Sequence, residues 1–519
     1  MKIIKILLLL CCITMISPAQ QNKITYYEIK KPEYLDPVYG NKFIYGRRCS
    51  SLLFRGLYGY NKTGEFIDFI ADGRPKPMDG SNTKFTLQIR PNMKWHDGVN
   101  ITSDDVVRSF QILKNENTLY GGKEILKRFN NISPDGNLGL IIELNSPNPQ
   151  PEYIMIFPIL PAHLLRSVYL SESNQFTTNP IGNGPFKIES KEIDKITFTR
   201  FDDFEYAVSD GHQTNIEKVI LEEKNEMFWT TDLTAGHVDL LVQVPLQQVI
   251  MLEGLENVTY KEYPNYSIDM LGFNMRDSSS LLNLKFIREA IYRGFNRKKA
   301  IMSAYNNNAN IVSGPYPFGS PFYWGEIDYK DYEYDKDAAI KLLENNGCTR
   351  PDVKSVFSYN GKKLSFDIIA IQSLGRSRII TQIIADLKQI GIEIKDPIYL
   401  TPDVYNAYLN QGKFDIVWIT PNYNEDFDIS PLFHSKSPYN FWGYQSSTVD
   451  DLLNKLTQTS DPLMQLSYGH QIHQKIHEDI PCFFLWTKKK YAGYTRRMKV
   501  FDPHPLDFFQ TINEWELRE

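Results

Sequence analysis

Cysteine is scarce in this chain: five in 519 residues, two of them within the first twelve positions. A disulfide-stapled scaffold is thereby excluded, and a chain of this length has core enough to need no staples. Cys49, Cys348 and Cys482 are an odd number, so at least one has no partner within the chain, and the sequence does not choose a pair. Long apolar runs are also missing; none approaches the roughly 20 residues that span a bilayer as a helix. Neither sign of charge prevails, with 57 basic against 62 acidic residues and a net charge of −5. No basic block and no zinc-knuckle spacing appears, so nucleic acid has no support as a partner. The sequence contains no H-E-x-x-H, no G-x-S-x-G and no G-K-[ST]. No catalytic residue and no cofactor are assigned. An exported hydrolase stays the rival class, because acidic residues are plentiful enough for a glycosidase pair.

What is present begins with an address. Lys2 and Lys5 precede an apolar stretch at 6–16, and Ser17-Pro18-Ala19 supplies small residues where a signal peptidase reads. Residues 1–19 are expected to be a secretory signal. Cys11 or Cys12 as a lipidated first residue is the alternative, set back because Leu10 stands where a small residue is preferred. A soluble exported protein of this kind is expected in a periplasm. Aromatic residues make 13% of the chain, which suits a ligand cleft and suits ordinary cores as well.

Periodicity divides the rest into alternating strands and helices, in two or three domains by length. Residues 24–29 and 85–89 alternate as strands. Thr102 with Asp105 three residues later reads as a capping box opening a helix over 103–115. A strand is expected at 138–144, another after the turn 181–188, and a helix over 284–305. Asp335 caps a helix at 336–346, which Gly347 closes. From 364 to 419 the order is strand, helix, strand, helix, strand, with helices at 376–390 and 401–411. That order predicts a mainly parallel sheet whose ligand edge lies near 418–424.

Particular phrases carry more than periodicity. W-H-D-G at 95–98, I-G-N-G-P-F-K-I at 181–188, L-G-F-N-M at 271–275, I-R-E-A-I-Y-R-G-F-N-R at 287–297 and G-P-Y-P at 314–317 stand in order along the chain. Together they resemble the extracellular solute-binding protein family 5, the receptors of oligopeptide, dipeptide and nickel ABC importers. The resemblance implies an α/β, two-lobed periplasmic binding protein (type II, cluster C) with an extra domain inserted in the amino-terminal lobe. Lobe 1 would comprise 20–50, 177–268 and 490–519, the inserted domain 51–176, and lobe 2 269–489. It further implies a monomer that closes on a peptide in the di- to pentapeptide range and hands it to an inner-membrane permease. An oligosaccharide, haem or a nickel or other metal chelate is the alternative ligand. Gly182 and Gly184 do not make a phosphate loop, because Pro185 removes a backbone donor there.

In peptide-binding members a tryptophan is followed three residues later by an aspartate that takes the peptide's amino group. Trp418 matches, but the aspartate position is Pro421. Glu425, Asp426 and Asp428 follow closely enough to replace it. Trp418, Tyr423, Trp442 and Trp486 are further candidates for the ligand cleft, with Tyr39 and Gln243 from the opposite lobe. His470, His473 and His477 share one side of an expected helix at a spacing that fits one transition metal. Their apolar neighbours Ile472 and Ile476 favour ordinary packing, so no metal site is assigned.

Overall fold

In the computed structural model the described residues are 22–61, 66–204, 214–325, 332–423, 427–459 and 461–518. The expected signal with Cys11 and Cys12, and the candidates Glu425 and Asp426, lie outside them.

Two large sheets organise the chain. The first has seven strands in the order Val258–Tyr263, Lys490–Thr495, Leu240–Leu241, Lys23–Glu28, Lys218–Glu223, Lys195–Arg200 and Phe186–Lys191. Its centre is parallel, with Lys23–Glu28 between Lys218–Glu223 and Leu240–Leu241. The second has six strands in the order Ala309–Ile311, Cys482–Lys488, Asp269–Phe273, Ile416–Ile419, Ile368–Ile371 and Ile398–Leu400. The chain passes between the sheets twice, side by side. It leaves through 264–268 and returns at Lys489, where Asn265 Nδ2 donates to Lys488 O at 2.9 Å and Lys489 pairs with Glu262 at 3.2 Å. Two short adjacent crossings are therefore the connection between the sheets.

A third, four-stranded antiparallel sheet (Lys76–Pro77, Lys84–Gln88, Gly139–Leu144, Phe129–Asp135) is backed by the helix Ser103–Lys114. The capping box opens that helix, with Thr102 N donating to Asp105 Oδ2 at 2.8 Å. Its buried Val106, Phe110 and Leu113 join Phe85, Leu87 and Ile142 in one core that runs on through Ile24, Leu52 and Trp515. The inserted segment therefore shares the core of the lobe that carries it. The boundary expected at 50/51 falls inside the helix Ile44–Leu53.

Two expected elements are divided. The helix at 284–305 is two, Lys285–Gly294 and Arg297–Tyr305. Phe295 is extended, and the Asn296 side chain accepts from Lys299 N at 2.9 Å, so an N-cap restarts the helix. The apolar run 364–371 splits at Asp367, whose N–H donates to Asp415 at 2.8 Å. Ser365–Phe366 pairs with Glu393–Ile394 outside the large sheet, so Ile398–Leu400 is the strand that joins it. That sheet is parallel only across its last three strands; Asp269–Phe273, Cys482–Lys488 and Ala309–Ile311 run antiparallel. The cap at Asp335 forms as read, accepting from Ala338 N at 2.9 Å. Among the described residues no helix is long and apolar enough to cross a membrane.

Candidate functional site

The site is framed by the first helix after the first strand. Glu28 ends the strand Lys23–Glu28, and its carboxylate accepts two bonds from Arg48 Nη1, at 2.7 and 2.9 Å, with both side chains buried. That pair ties the helix Ile44–Leu53 to the carboxyl end of a parallel strand, the edge where such sheets hold ligands. Burial works to raise the Glu28 carboxyl above its usual range, and Arg48 only partly opposes it.

The far end of the helix is held by the two turns read from sequence. Asn183 N and Gly184 N donate to Leu53 O at 2.9 and 2.7 Å, satisfying a carbonyl the helix leaves open. A Cβ added at Gly182 would stand 1.9 Å from Leu53 O, and one at Gly184 would stand 2.5 Å from Leu52 O. Glycine is required there by close approach. The Asn183 amide clamps the backbone of Arg55 from both sides, at 2.9 and 3.1 Å. His96 of the W-H-D-G turn closes the arrangement: Gly182 N donates to Nδ1 at 3.2 Å and Nε2 donates to Gly184 O at 2.9 Å. The ring is thereby a neutral tautomer, and burial pushes its pKa down to about 4.

Beside this frame opens a cavity of about 960 Å³. Its wall is built from the first lobe, by residues of 37–60, 118–128 and 156–158 with Asp507 and Gln510; Asp428 and Pro431 reach it from the second lobe. Tyr58, Tyr60, Phe69 and Tyr120 supply aromatic surface, and Ser50 and Ser51 supply hydroxyls. Arg55 Nη2 donates to Gln510 O at 3.0 Å and Gln510 Nε2 to Tyr60 O at 2.9 Å, so the carboxyl-terminal segment is part of the wall. Arg47 Nε meets Asp507 at 2.7 Å. Burial opposes the Asp507 charge, but Arg47, His504 and Arg55 outweigh it and hold the carboxyl below its usual range. Across the cleft Arg128 meets Asp428 at 2.6 Å, and Gln465 Nε2 donates to Gln150 at 2.7 Å. On the first-lobe side these two contacts come from the inserted segment.

The residues expected to line the cleft are distributed otherwise. Trp418 and Trp486 are 1% and 0% exposed, and their indole N–H groups donate to the two oxygens of buried Asp269, at 3.2 and 3.0 Å. Thr420 Oγ1 donates to the same carboxylate at 2.6 Å, and Lys488 approaches it at 3.2 Å. Trp442 is fully buried against Gly272, where a Cβ would come within 2.6 Å of the ring. Tyr423 is buried in the same lobe's core. These four aromatics fill the second lobe's core and do not line the cavity, because two sheet faces and a glycine gap receive them. Tyr39 is buried next to the cavity, its hydroxyl donating to Leu170 O at 2.8 Å. Gln243 is exposed and apart from the cavity. Of the described candidates only Asp428 lines it. Position 421 serves the backbone: Ile268 N donates to Pro421 O at 3.3 Å beside the first crossing.

Arg47, Lys42, Lys123, Arg128 and Tyr120 line the cavity without having been singled out. For Arg47 the available signal was R-R-C-S-S at 47–51, a polar run on the first helix after the first strand. His473 Nε2 and His477 Nδ1 bond the hydroxyl and carbonyl of Ser313, at 3.1 and 2.6 Å, and His470 stacks on Trp324. Among the described residues no three potential metal ligands gather. Cys49, Cys348 and Cys482 are buried free thiols.

Comparison with known proteins gives this architecture its relatives. Residues 77–440 match the family model described as bacterial extracellular solute-binding proteins, family 5 Middle. The oligopeptide-binding protein AppA of Bacillus subtilis is 25% identical over 465 residues, 85% of this chain and 82% of AppA. Its structure in complex with a nonapeptide superposes with a TM-score of 0.74 at 22% identity, over 96% of this chain and 99% of that one. The nickel-binding protein NikA of Staphylococcus aureus is 20% identical over 469 residues, 88% of each chain. HbpA2 from Haemophilus parasuis has a TM-score of 0.81 at 18% identity, covering 96% of this chain and 100% of its own.

Proposed function

Because this chain belongs to family 5 of the bacterial extracellular solute-binding proteins and is a substrate-binding protein of the ABC-importer type, we propose that its solute is a short oligopeptide. The observation that carries the reading is the cavity of about 960 Å³, walled by the first lobe and touched by Asp428 and Pro431 from the second. That volume lies at the upper end of the roughly 300–1,000 Å³ that small-molecule sites occupy, room for a ligand in the di- to pentapeptide range. Aromatic faces, hydroxyls and charges of both signs line it, the mixture that a backbone with termini and varied side chains needs. The similarity to AppA along most of the chain supports the same class.

The mechanism is selection of the closed state. A solute that touches both lobes does so only when they are together, so its differential affinity sets the closure. The paired crossings at 264–268 and Lys489 supply the hinge. Arg128–Asp428 and Gln150–Gln465 hold the lobes at the mouth. Release to a permease follows when the importer favours the open form. Export to a periplasm, the removal of residues 1–19, a monomeric state and the expected Asp426 and Glu425 contacts belong to the same proposal.

The test is a thermal-shift panel of di- to pentapeptides alongside sugars, haem and nickel chelates. A peptide at a hundred times its Kd stabilises the protein by about 2.7 kcal/mol through linkage, and small-angle scattering becomes more compact. Shifts with a sugar or chelate and none with any peptide at millimolar concentration would overturn the ligand class.

A further inference from the structure

The cavity wall carries hydroxyl groups that the fold itself does not use. Arg47, Ser50, Ser51 and Phe54 line it from one side of the helix Ile44–Leu53 and its cap, at i, i+3, i+4 and i+7. Ser51 Oγ donates to Arg48 O at 2.8 Å, but among the described residues the Ser50 hydroxyl has no partner. Thr118 and Tyr120 reach the same wall on the loop that follows the helix Ser103–Lys114. That loop is closed on itself: Thr118 N donates to Asn115 O at 3.1 Å, Tyr120 N to Thr118 O at 3.0 Å and Lys123 Nζ to Glu116 O at 2.8 Å. Gly122 fits it closely, since a Cβ there would stand 2.7 Å from the tip of the Tyr120 phenol. The ring packs on the first lobe's core, in the field of Arg47 and Asp507, and among the described residues its hydroxyl has no partner. The Thr118 hydroxyl is buried and likewise unpartnered. A polar group enclosed without a partner is costly, and a group that enters the cavity can supply one.

Resting on the reading of the site as a peptide cleft, we propose that Tyr120, with Ser50 and Thr118 on the same wall, forms a hydroxyl subsite that hydrogen-bonds a carboxamide group of the solute, Tyr120 being its specificity-determining contact. A hydroxyl both donates and accepts, and a carboxamide offers one group of each kind, so the two match. Burial raises the Tyr120 phenol above its usual range, with Arg47 opposing and Asp507 adding, so the proton stays on the hydroxyl at neutral pH. The carboxamide comes either from the peptide main chain or from an asparagine or glutamine side chain, and both present the same atoms to the wall.

The experiment titrates Ala-Ala-Ala, Ala-Gln-Ala and Ala-Met-Ala into the purified protein by calorimetry, for the natural chain and for Tyr120→Phe. That substitution removes only the phenol oxygen, so the melting temperature of the unliganded protein should not move. Binding is expected to weaken roughly three- to tenfold, the loss of one net hydrogen bond. An equal loss for all three peptides assigns the contact to the main chain; a loss confined to Ala-Gln-Ala assigns it to the side chain. Ser50→Ala and Thr118→Val should lower affinity in the same pattern across the peptides. Tyr359→Phe, the same change in the second lobe and outside the cavity wall, should move no Kd, and an equal effect there overturns the contact. Unchanged affinity of Tyr120→Phe for every peptide that the natural chain binds overturns the subsite and leaves the peptide reading standing. Failure of the natural chain to bind any of the three overturns the peptide reading and this role with it.

Discussion

The two lobes use the same kinds of residue in opposite ways. The second lobe buries Trp418, Trp442 and Trp486 and sets a carboxylate, Asp269, between two of the indoles. The first lobe brings tyrosines and cations to a cavity wall and closes its carboxylates with arginine. A tryptophan next to a strand's carboxyl end therefore says little about ligand contact until its neighbours are known. In the second lobe, Gly272 leaves a slot for one ring and Asp269 supplies acceptors for two others, so the aromatics are drawn inward. In the first, the helix Ile44–Leu53 spends its buried side on Glu28 and the glycine turn, and its other side is left to the cavity. Composition is shared, and the packing partner decides.

The comparison breaks most readily at Trp418. With Trp418 a core residue, Trp418→Ala removes a large buried side chain and one of the two hydrogen bonds to Asp269 Oδ1, and should cost about 3–5 kcal/mol of stability by chemical denaturation. Affinity in the folded fraction should stay the same. Intact stability with weakened binding would return Trp418 to the cleft and undo the contrast between lobes.

A second, smaller effect sharpens the contrast through pH. Burial pushes His96 and His504 of the first lobe down to about 4, and burial with two neighbouring histidines pushes His473 of the second down to about 3. A base whose folded pKa is depressed stays neutral in the fold while the unfolded chain takes up its proton. Its contribution is therefore fully present above about pH 6.5, falls as pH drops below that, and is exhausted near 4 for the first lobe and near 3 for the second. Melting temperature followed from pH 7 to 3 should decline across this window. His473→Asn should lessen the decline over the whole window from about pH 6.5 to 3, while His96→Asn should lessen it only above about pH 4. A decline unchanged in both variants would assign it to carboxylates instead.

The smallest expected effect lies between the lobes. Arg128 and Asp428 are partly solvated, 39% and 17% exposed, so Asp428→Asn should change stability by no more than about 1 kcal/mol. It should nonetheless loosen closure, read as a larger radius of gyration without ligand. A melting temperature lowered by many degrees would make the pair a structural strut.

Much of the fold was legible because local rules and tertiary context agree. Thr102 and Asp105, Asp335, Gly347 and the turn glycines each satisfy a backbone requirement that no neighbour overrides. Where context intervened, the reading failed in identifiable ways. An apolar stripe runs unbroken through 284–305, and only the Asn296 cap and its bond to Asp386 show that the helix restarts there. The run 364–371 has one period but serves two sheets, because Asp367 is claimed by Asp415. The site was the least legible part, since Arg47, Lys123, Arg128 and Asp507 come from segments far apart in sequence and share no motif.

By itself the sequence determined the family's order of phrases, the α/β alternation, the capped helices and the positions where only glycine fits. These depend on backbone geometry and side-chain period, which act over a few residues. Tertiary structure alone decided which carboxylates carry an arginine, which aromatics are buried and which cations remain facing the cavity. Those are properties of distance and solvent exclusion between segments up to several hundred residues apart, such as Arg47 with Asp507 and Arg128 with Asp428, and no local pattern encodes them.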